Sequence, residues 1–236
     1  MPGEGRAPRS RESALGFDAG ASSRALAAAD RKLGRLIERV GPCTLRANGL
    51  HSPFSALAES ITYQQLNGKA AETILGRVVA LYRPKRFPTP DDILRTPETS
   101  LRAAGLSRSK IAAFRDLAAK TLDGTVPALA RLRRMHDDDI VEQLTSIRGI
   151  GRWTVEMLLM FRLGRPDVLP AGDFGVRKGF ALTFGLKELP APAEVLERGE
   201  RWRPHRTVAS WYLWRALDLP RRRPSTPATT PKSKRK

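Results

Sequence analysis

Apolar residues along this chain recur at three- and four-residue intervals and nowhere settle into sustained alternation. Leu26, Ala29, Leu33 and Ile37 line one face of a helix expected from Ser22 or Ser23 to about Val40, with Gly41 past its end. A connector, Pro42 to Leu50, has room for a short extended piece. Ser52-Pro53 is a cap followed by proline at the first helical position, and it opens a helix to Gln65 with Phe54, Leu57, Ala58 and Ile61 on its core face. Asn67-Gly68 breaks that helix and Lys69–Tyr82 resumes. Short helices then follow quickly. One starts at Thr89-Pro90, another at Thr96-Pro97 and ends at Gly105, and a longer one runs from Ser107 through Phe114 to about Leu122. Segments 126–135 and 138–146 come next, the second opened by Asp137, Asp138 and Asp139, which suit the positive end of a helix dipole. An almost wholly apolar helix carrying Trp153 precedes Phe174–Phe184, Ala193–Glu200 and Pro204–Leu217. The pattern predicts an all-α protein of ten or eleven short helices.

Charge narrows the partner. Lys and Arg number 42 against 24 Asp and Glu, a formal charge of +18, which points to a polyanion, with nucleic acid ahead of an acidic membrane surface. Seven basic residues and no acid follow Pro220, yet the body before them stays strongly basic without that tail. Cys43 is the single cysteine, so an internal disulfide, a Cys-based zinc site and a four-Cys iron–sulfur cluster are all excluded, and a reducing environment is expected. No apolar run reaches the roughly 18 residues of a membrane span, and the polar start from Pro2 to Arg11 has no signal-peptide core.

Three places could carry chemistry. Gly149 and Gly151 flank Ile150 in a tight turn before a helix. Glycines so placed allow positive φ and close approach, and the first amides of the helix can bind a phosphate. Arg148 and Arg152 on the same loop favour phosphate over an ordinary corner between helices. A dinucleotide site is excluded, because no strand precedes and the third glycine is missing. Asp173 follows Pro170 and Gly172 where a helix begins. It reads first as an N-cap; a cap can also be a catalyst where its carboxylate faces an enclosed groove, and Arg177 and Lys178 stand one turn on. All four tryptophans lie after the turn, and their clustering suits either core packing or a stacking pocket for a flat ligand. Gln64-Gln65-Leu66-Asn67 reads as a capped turn around one leucine. Glu156, in the apolar helix, is expected to pair with Arg152.

Taken together, Leu144–Gly151, Trp153-Thr154, Pro170, Asp173 and Gly175-Val176-Arg177-Lys178-Gly179 resemble the helix-hairpin-helix, Gly/Pro/Asp superfamily of DNA glycosylases. Ile61–Ala71 and Ala104–Lys110 resemble two further signatures of its 3-methyladenine DNA glycosylase II branch, so the likeness spans about residues 52–215. It implies two helical subdomains flanking a DNA-binding groove, one built from 22–51 and 165–219, the other from 52–164 with the hairpin at 144–153. Residues 1–21 and 220–236 are expected as disordered tails. Asp173 would be the catalytic carboxylate and Leu66 the wedge that fills the stack when the base is flipped out. Trp153, Met157 and Trp214 would wall the base pocket, with Tyr63 and Trp202 as neighbours. Gly149, Ile150, Gly151, Arg148, Arg152, Ser107, Lys110 and Arg177 would meet DNA phosphates.

The resemblance further implies a monofunctional enzyme that hydrolyses the N-glycosidic bond of alkylated purines such as 3-methyladenine and 7-methylguanine. Relatives that also cut the strand carry a lysine where Trp153 stands, and an indole forms no Schiff base. The partner would be double-stranded DNA containing alkylated bases, met by a monomer with no membrane, in the cytoplasm with the nucleoid in a bacterium or in the nucleus of a eukaryote. No cofactor is expected, apart from a monovalent cation that the hairpin could hold. The chain has no room for the extra N-terminal domain of longer bacterial members and lacks the iron–sulfur cysteines.

Overall fold

The computed structural model describes residues 12, 13, 15–50 and 52–220. Among these residues the regular secondary structure is helical except for one two-residue pairing, β1 (Glu12–Ser13) antiparallel to β2 (Ala47–Asn48), the latter being the extended piece expected in the connector. Thirteen α-helical segments lie among the described residues, more than the pattern suggested. The first difference is at Asp30. Where one helix was expected, α1 (Ala19–Ala29) and α2 (Arg31–Val40) are separated by this residue. Asp30 leaves the helical conformation, with φ −143° and ψ 104°, and its Oδ1 accepts from the amides of Lys32 and Leu33. Arg198 donates to both its oxygens at 2.8 and 3.1 Å, and Trp202 Nε1 adds a third contact at 3.3 Å. Burial alone would raise this carboxyl; Arg198, the Leu33 amide and Trp202 outweigh burial and hold it below its usual value. The first cap is also Asp18 rather than a serine. Ser22 and Ser23 sit inside α1 and return their hydroxyls to the carbonyls of Asp18 and Ala19. Residues 19–21 therefore belong to a helix and not to a tail. Residues 1–11 and 221–236, most of the two segments expected as tails, lie outside the described residues.

The middle helices are α3 (Pro53–Tyr63), α4 (Gly68–Ala80), α5 (Pro90–Arg95), α6 (Glu98–Ala103), α7 (Arg108–Leu122), α8 (Leu129–Leu132), α9 (Asp137–Thr145) and α10 (Arg152–Phe161). The last three are α11 (Phe174–Phe184), α12 (Pro192–Gly199) and α13 (Arg206–Arg215), with a 3₁₀ turn at Glu200–Trp202. Caps do what the residue types dictate. Ser52 accepts from Ser55 N, Thr89 and Asp92 form a capping box, and Ser107 accepts from Lys110 N.

Buried side chains gather into two clusters. One runs from Leu50 to Val168 and includes Phe54, Leu57, Ile61, Ile111, Phe114, Leu144, Ile150 and Val155. The other joins Leu26, Leu33 and Leu36 to Val176, Phe180, Phe184, Trp202, Tyr212 and Leu213 from the end of the chain. Trp214 packs against both. The chain crosses between clusters near Asp167, whose carboxylate takes Arg206 at 2.7 and 2.9 Å and Arg203 at 2.6 Å. Thr207 Oγ1 donates to Arg165 O and accepts from Val168 N, which fixes the crossing on α13.

Within the second cluster α11 and α13 lie unusually close. A Cβ on Gly179 would stand 1.9 Å from Leu213 O, inside van der Waals contact by more than an ångström. A Cβ on Gly175 would meet Trp214 Cδ1 at 2.8 Å and Asp173 Oδ1 at 3.0 Å. The two glycines one helical turn apart thus let the α13 face that bears Trp214 reach the start of α11.

Candidate active site

The hairpin between α9 and α10 is built as its residues suggest, with one correction. Gly149 has φ +79°, where a side chain would be strained, and its missing Cβ keeps clear of Ala113. Gly151 takes φ −94° and ψ 166°, which any residue adopts, and nothing lies within 4 Å of the Cβ it lacks. Its smallness answers no internal neighbour and leaves the backbone open to an outside approach. Ile150 is buried and anchors the turn, and its amide donates to Ile147 O. No side chain caps α10, so its first amides face outward for an anion. Arg148 and Arg152 are exposed beside them. The Arg148 amide donates to Asp116 Oδ2 at 2.7 Å, which ties the hairpin to α7.

Asp173 stands at the junction of the two clusters and caps α11 as its position suggested, with Oδ1 accepting from Val176 N at 2.8 Å. Two indoles complete its surroundings. Trp214 Nε1 donates to Oδ1 at 2.8 Å, and Trp153 Nε1 donates to Oδ2 at 2.8 Å. Phe161 stacks on Trp214 with centroids 6.0 Å apart, holding that ring from the side of α10. The carboxylate is thus fixed by groups from α10, α11 and α13.

Beside Trp153 opens a mostly apolar cavity of about 440 Å³, lined by Ser60, Tyr63, Gln64, Gln65, Trp153, Thr154 and Met157. Tyr63, Met157 and Trp153 therefore share one space, while Trp214, expected as a third wall, is not among its lining residues and is linked to Trp153 through their bonds to Asp173. Trp202 does not belong there. It is 1% exposed in the second cluster, stacked on Phe184, so its place in the pocket is withdrawn. Nearness in sequence to Trp214 does not bring it to the cavity: it lies in the 3₁₀ turn before α13 and packs on Phe180 and Phe184, with its N–H on Asp30.

Leu66 projects from the loop between α3 and α4 and is 38% exposed, at a tip rather than buried in a turn. Gln65 before it has φ +58°, a left-handed conformation that a non-glycine residue adopts only when its surroundings hold it. Those surroundings are visible. Lys110 Nζ donates to Thr62 O at 2.6 Å and Gln64 O at 2.9 Å, and Gln64 Nε2 donates to Gly149 O at 2.8 Å. The Leu66 loop and the glycine hairpin are in this way bolted together. Lys110, expected at a phosphate, instead turns its amine into the protein, where burial lowers its pKa. Its basic character said nothing about direction.

Arg177 likewise leaves Asp173 alone and donates to Pro190 O at 2.8 Å. Ser107 spends its hydroxyl on the cap of α7 and on Ser109. Two residues gain a definite place near the site: Gln64, read from the sequence only as part of a capped turn, and Phe174. Gln64 is the link just described; Phe174, next to Asp173, is 64% exposed, with Lys178 Nζ 5.7 Å over its ring. An exposed aromatic immediately after the aspartate was the available signal.

Glu156 pairs with Arg152 at 3.6 Å, as expected. Burial pushes its carboxyl up to about 7, against the pull of Arg152 and with a smaller push from Asp173. Among the described residues no three His, Cys, Asp or Glu side chains come together as a metal site. The three aspartates that open α9 lie in its first turn, and Asp137 pairs with Arg165.

These features have close counterparts. Residues 58–204 match the family described as HhH-GPD superfamily base excision DNA repair protein. The chain is 37% identical over 195 residues to DNA-3-methyladenine glycosylase 1 of Schizosaccharomyces pombe, covering 82% of this chain and 86% of that protein. The structure of the S. pombe 3-methyladenine DNA glycosylase Mag1 in complex with abasic DNA superposes with a TM-score of 0.74 at 36% identity, over 84% of this chain and 97% of that one. A DNA-3-methyladenine glycosidase from Bacillus halodurans gives a TM-score of 0.75 at 34% identity, over 87% and 92%. With the hairpin, the aspartate and the glycines of α11 all inside the matched region, the chain belongs to the HhH-GPD superfamily of base excision DNA repair proteins.

Proposed function

We propose that this protein is a monofunctional DNA glycosylase that removes alkylated purines from duplex DNA. The observation that carries this reading is the Asp173 carboxylate held between the indoles of Trp153 and Trp214, with Trp153 itself a wall of an apolar cavity. The likeness to glycosylases named for 3-methyladenine, one of them bound to abasic DNA, supports it.

The chemistry follows from the substrate. Methylation at N3 or N7 leaves the purine positively charged. When the C1′–N bond breaks, its electron pair moves onto the base, which departs neutral. Positive charge then develops on the sugar, where Asp173 stabilises it. A water oxygen bonds to C1′ and releases a proton, which the carboxylate or solvent accepts. Because the base already leaves readily, one carboxylate suffices. The electron-rich indole of Trp153, which lines the cavity, favours the cation over an unmodified purine, a cation–π contact contributing about 0.5–2 kcal/mol. The amides of Gly151 and α10, with Arg148 and Arg152, would grip the backbone while Leu66 occupies the vacated stack. Position 153 offers no amine, so no covalent imine and no strand cleavage are expected.

Asp173→Asn tests the reading. An amide has one acceptor oxygen; with that oxygen in the place of Oδ1 the cap on Val176 and the bond from Trp214 persist, while the charge and the bond from Trp153 are lost. Release of 3-methyladenine should fall by about 10²-fold or more while lesion-containing DNA is still bound. Near-normal release would refute it, and DNA binding without any base release by the wild type would leave a non-catalytic DNA-binding protein.

A further inference from the structure

The two oxygens of Asp173 are not equivalent. Oδ1 accepts from Val176 N and Trp214 Nε1, which uses both of its lone-pair directions. Among the described residues Oδ2 accepts from Trp153 Nε1 alone. Whatever capacity the carboxylate has left for a developing cation is on Oδ2, and Trp153 controls it. The same indole is 51% exposed and forms a wall of the cavity, so a base entering that space meets it.

We infer that Trp153 is a specificity-determining residue, acting through the hydrogen bond from its indole N–H to Asp173 Oδ2. The inference rests on the glycosylase reading above. One bond has two consequences, and both favour charged bases. Donation to Oδ2 disperses the carboxylate charge, so the sugar cation is stabilised less, which matters most for a neutral base that departs reluctantly. Donation to an anion also pushes electron density into the indole ring, which strengthens its hold on a cationic base. Trp214 differs. Its N–H shares Oδ1 with a backbone amide, so removing it frees nothing on Oδ2.

The test compares single-turnover release of 7-methylguanine, a cation, and hypoxanthine, a neutral base, from duplexes of one sequence. Trp153→Phe keeps an aromatic face and loses the N–H, and the half-exposed position tolerates the change. The ratio of 7-methylguanine to hypoxanthine release should fall about tenfold, the scale of one hydrogen bond to a charged group. In Trp214→Phe both rates should fall, with the ratio held within about threefold. A ratio unmoved in Trp153→Phe, or moved equally in Trp214→Phe, would overturn the role given to Trp153. Release of neither base by the wild type would overturn the glycosylase reading itself, so the two failures are distinguishable.

Discussion

Glu156→Gln should make the protein more stable, and only above a definite pH. The wild-type carboxyl is nearly buried in α10, with a single arginine 3.6 Å away to compensate. Its ordinary value of 4.5 is raised to about 7. Below about pH 4.5 the group is protonated in both folded and unfolded chains and contributes nothing to the balance. Between about 4.5 and 7 the unfolded chain gives up its proton while the folded protein keeps it, so stability falls as pH rises. Above about 7 the full destabilisation is present, about 3 kcal/mol. Gln fills the same space without the charge. Arg152, two-thirds exposed, loses little when its partner goes. Urea unfolding at pH 5, 6, 7 and 8 should show the variant gaining on wild type by about 2–3 kcal/mol across that range at constant m-value, or about 5–10 °C in melting temperature at pH 8. A difference that is flat with pH, or a variant that loses ground as pH rises, would show that burial does not govern this carboxyl.

Other perturbations address the scaffold of the site. Gly179→Ala places a methyl 1.9 Å from Leu213 O, so α11 and α13 must part by about an ångström, which costs about 2–4 kcal/mol and draws Trp214 off Asp173. Thermal melting and base release should fall together, and a variant with wild-type melting would disprove the close approach. Lys110→Met removes two of the ties on the Leu66 loop and leaves the bond from Gln64 to Gly149. Flipping, followed by 2-aminopurine fluorescence beside the lesion, should weaken by about tenfold, with the salt dependence of duplex binding preserved. A flattened salt slope would mean that Lys110 contacts a phosphate after all.

The helices were readable because caps and apolar spacing are local properties. Ser52, Thr89, Ser107, Asp173 and Gly185 mark the boundaries that they appear to mark. Asp30 escaped notice because Ala-Ala-Asp-Arg continues a helical pattern, and what turns it into a break is Arg198, 168 residues away. The motifs located Asp173, Leu66 and the hairpin, yet they were silent on side-chain direction. Trp202 and Lys110 have the right chemistry for a DNA site and point into the protein. The bonds from Trp153 and Trp214 to one carboxylate were equally invisible, since they depend on how closely α11 and α13 pack at Gly175 and Gly179.

Trp153, Asp173 and Trp214 reach one another from three helices that no short segment contains together. A fragment ending after α11 would keep the carboxylate and one indole while leaving Oδ1 without Trp214. The working site is therefore a property of the completed tertiary structure, and base release can serve as a gauge of global folding. In a urea titration catalysis should vanish along the cooperative transition rather than before it, and two halves of the chain should regain it only when they reassemble both cores.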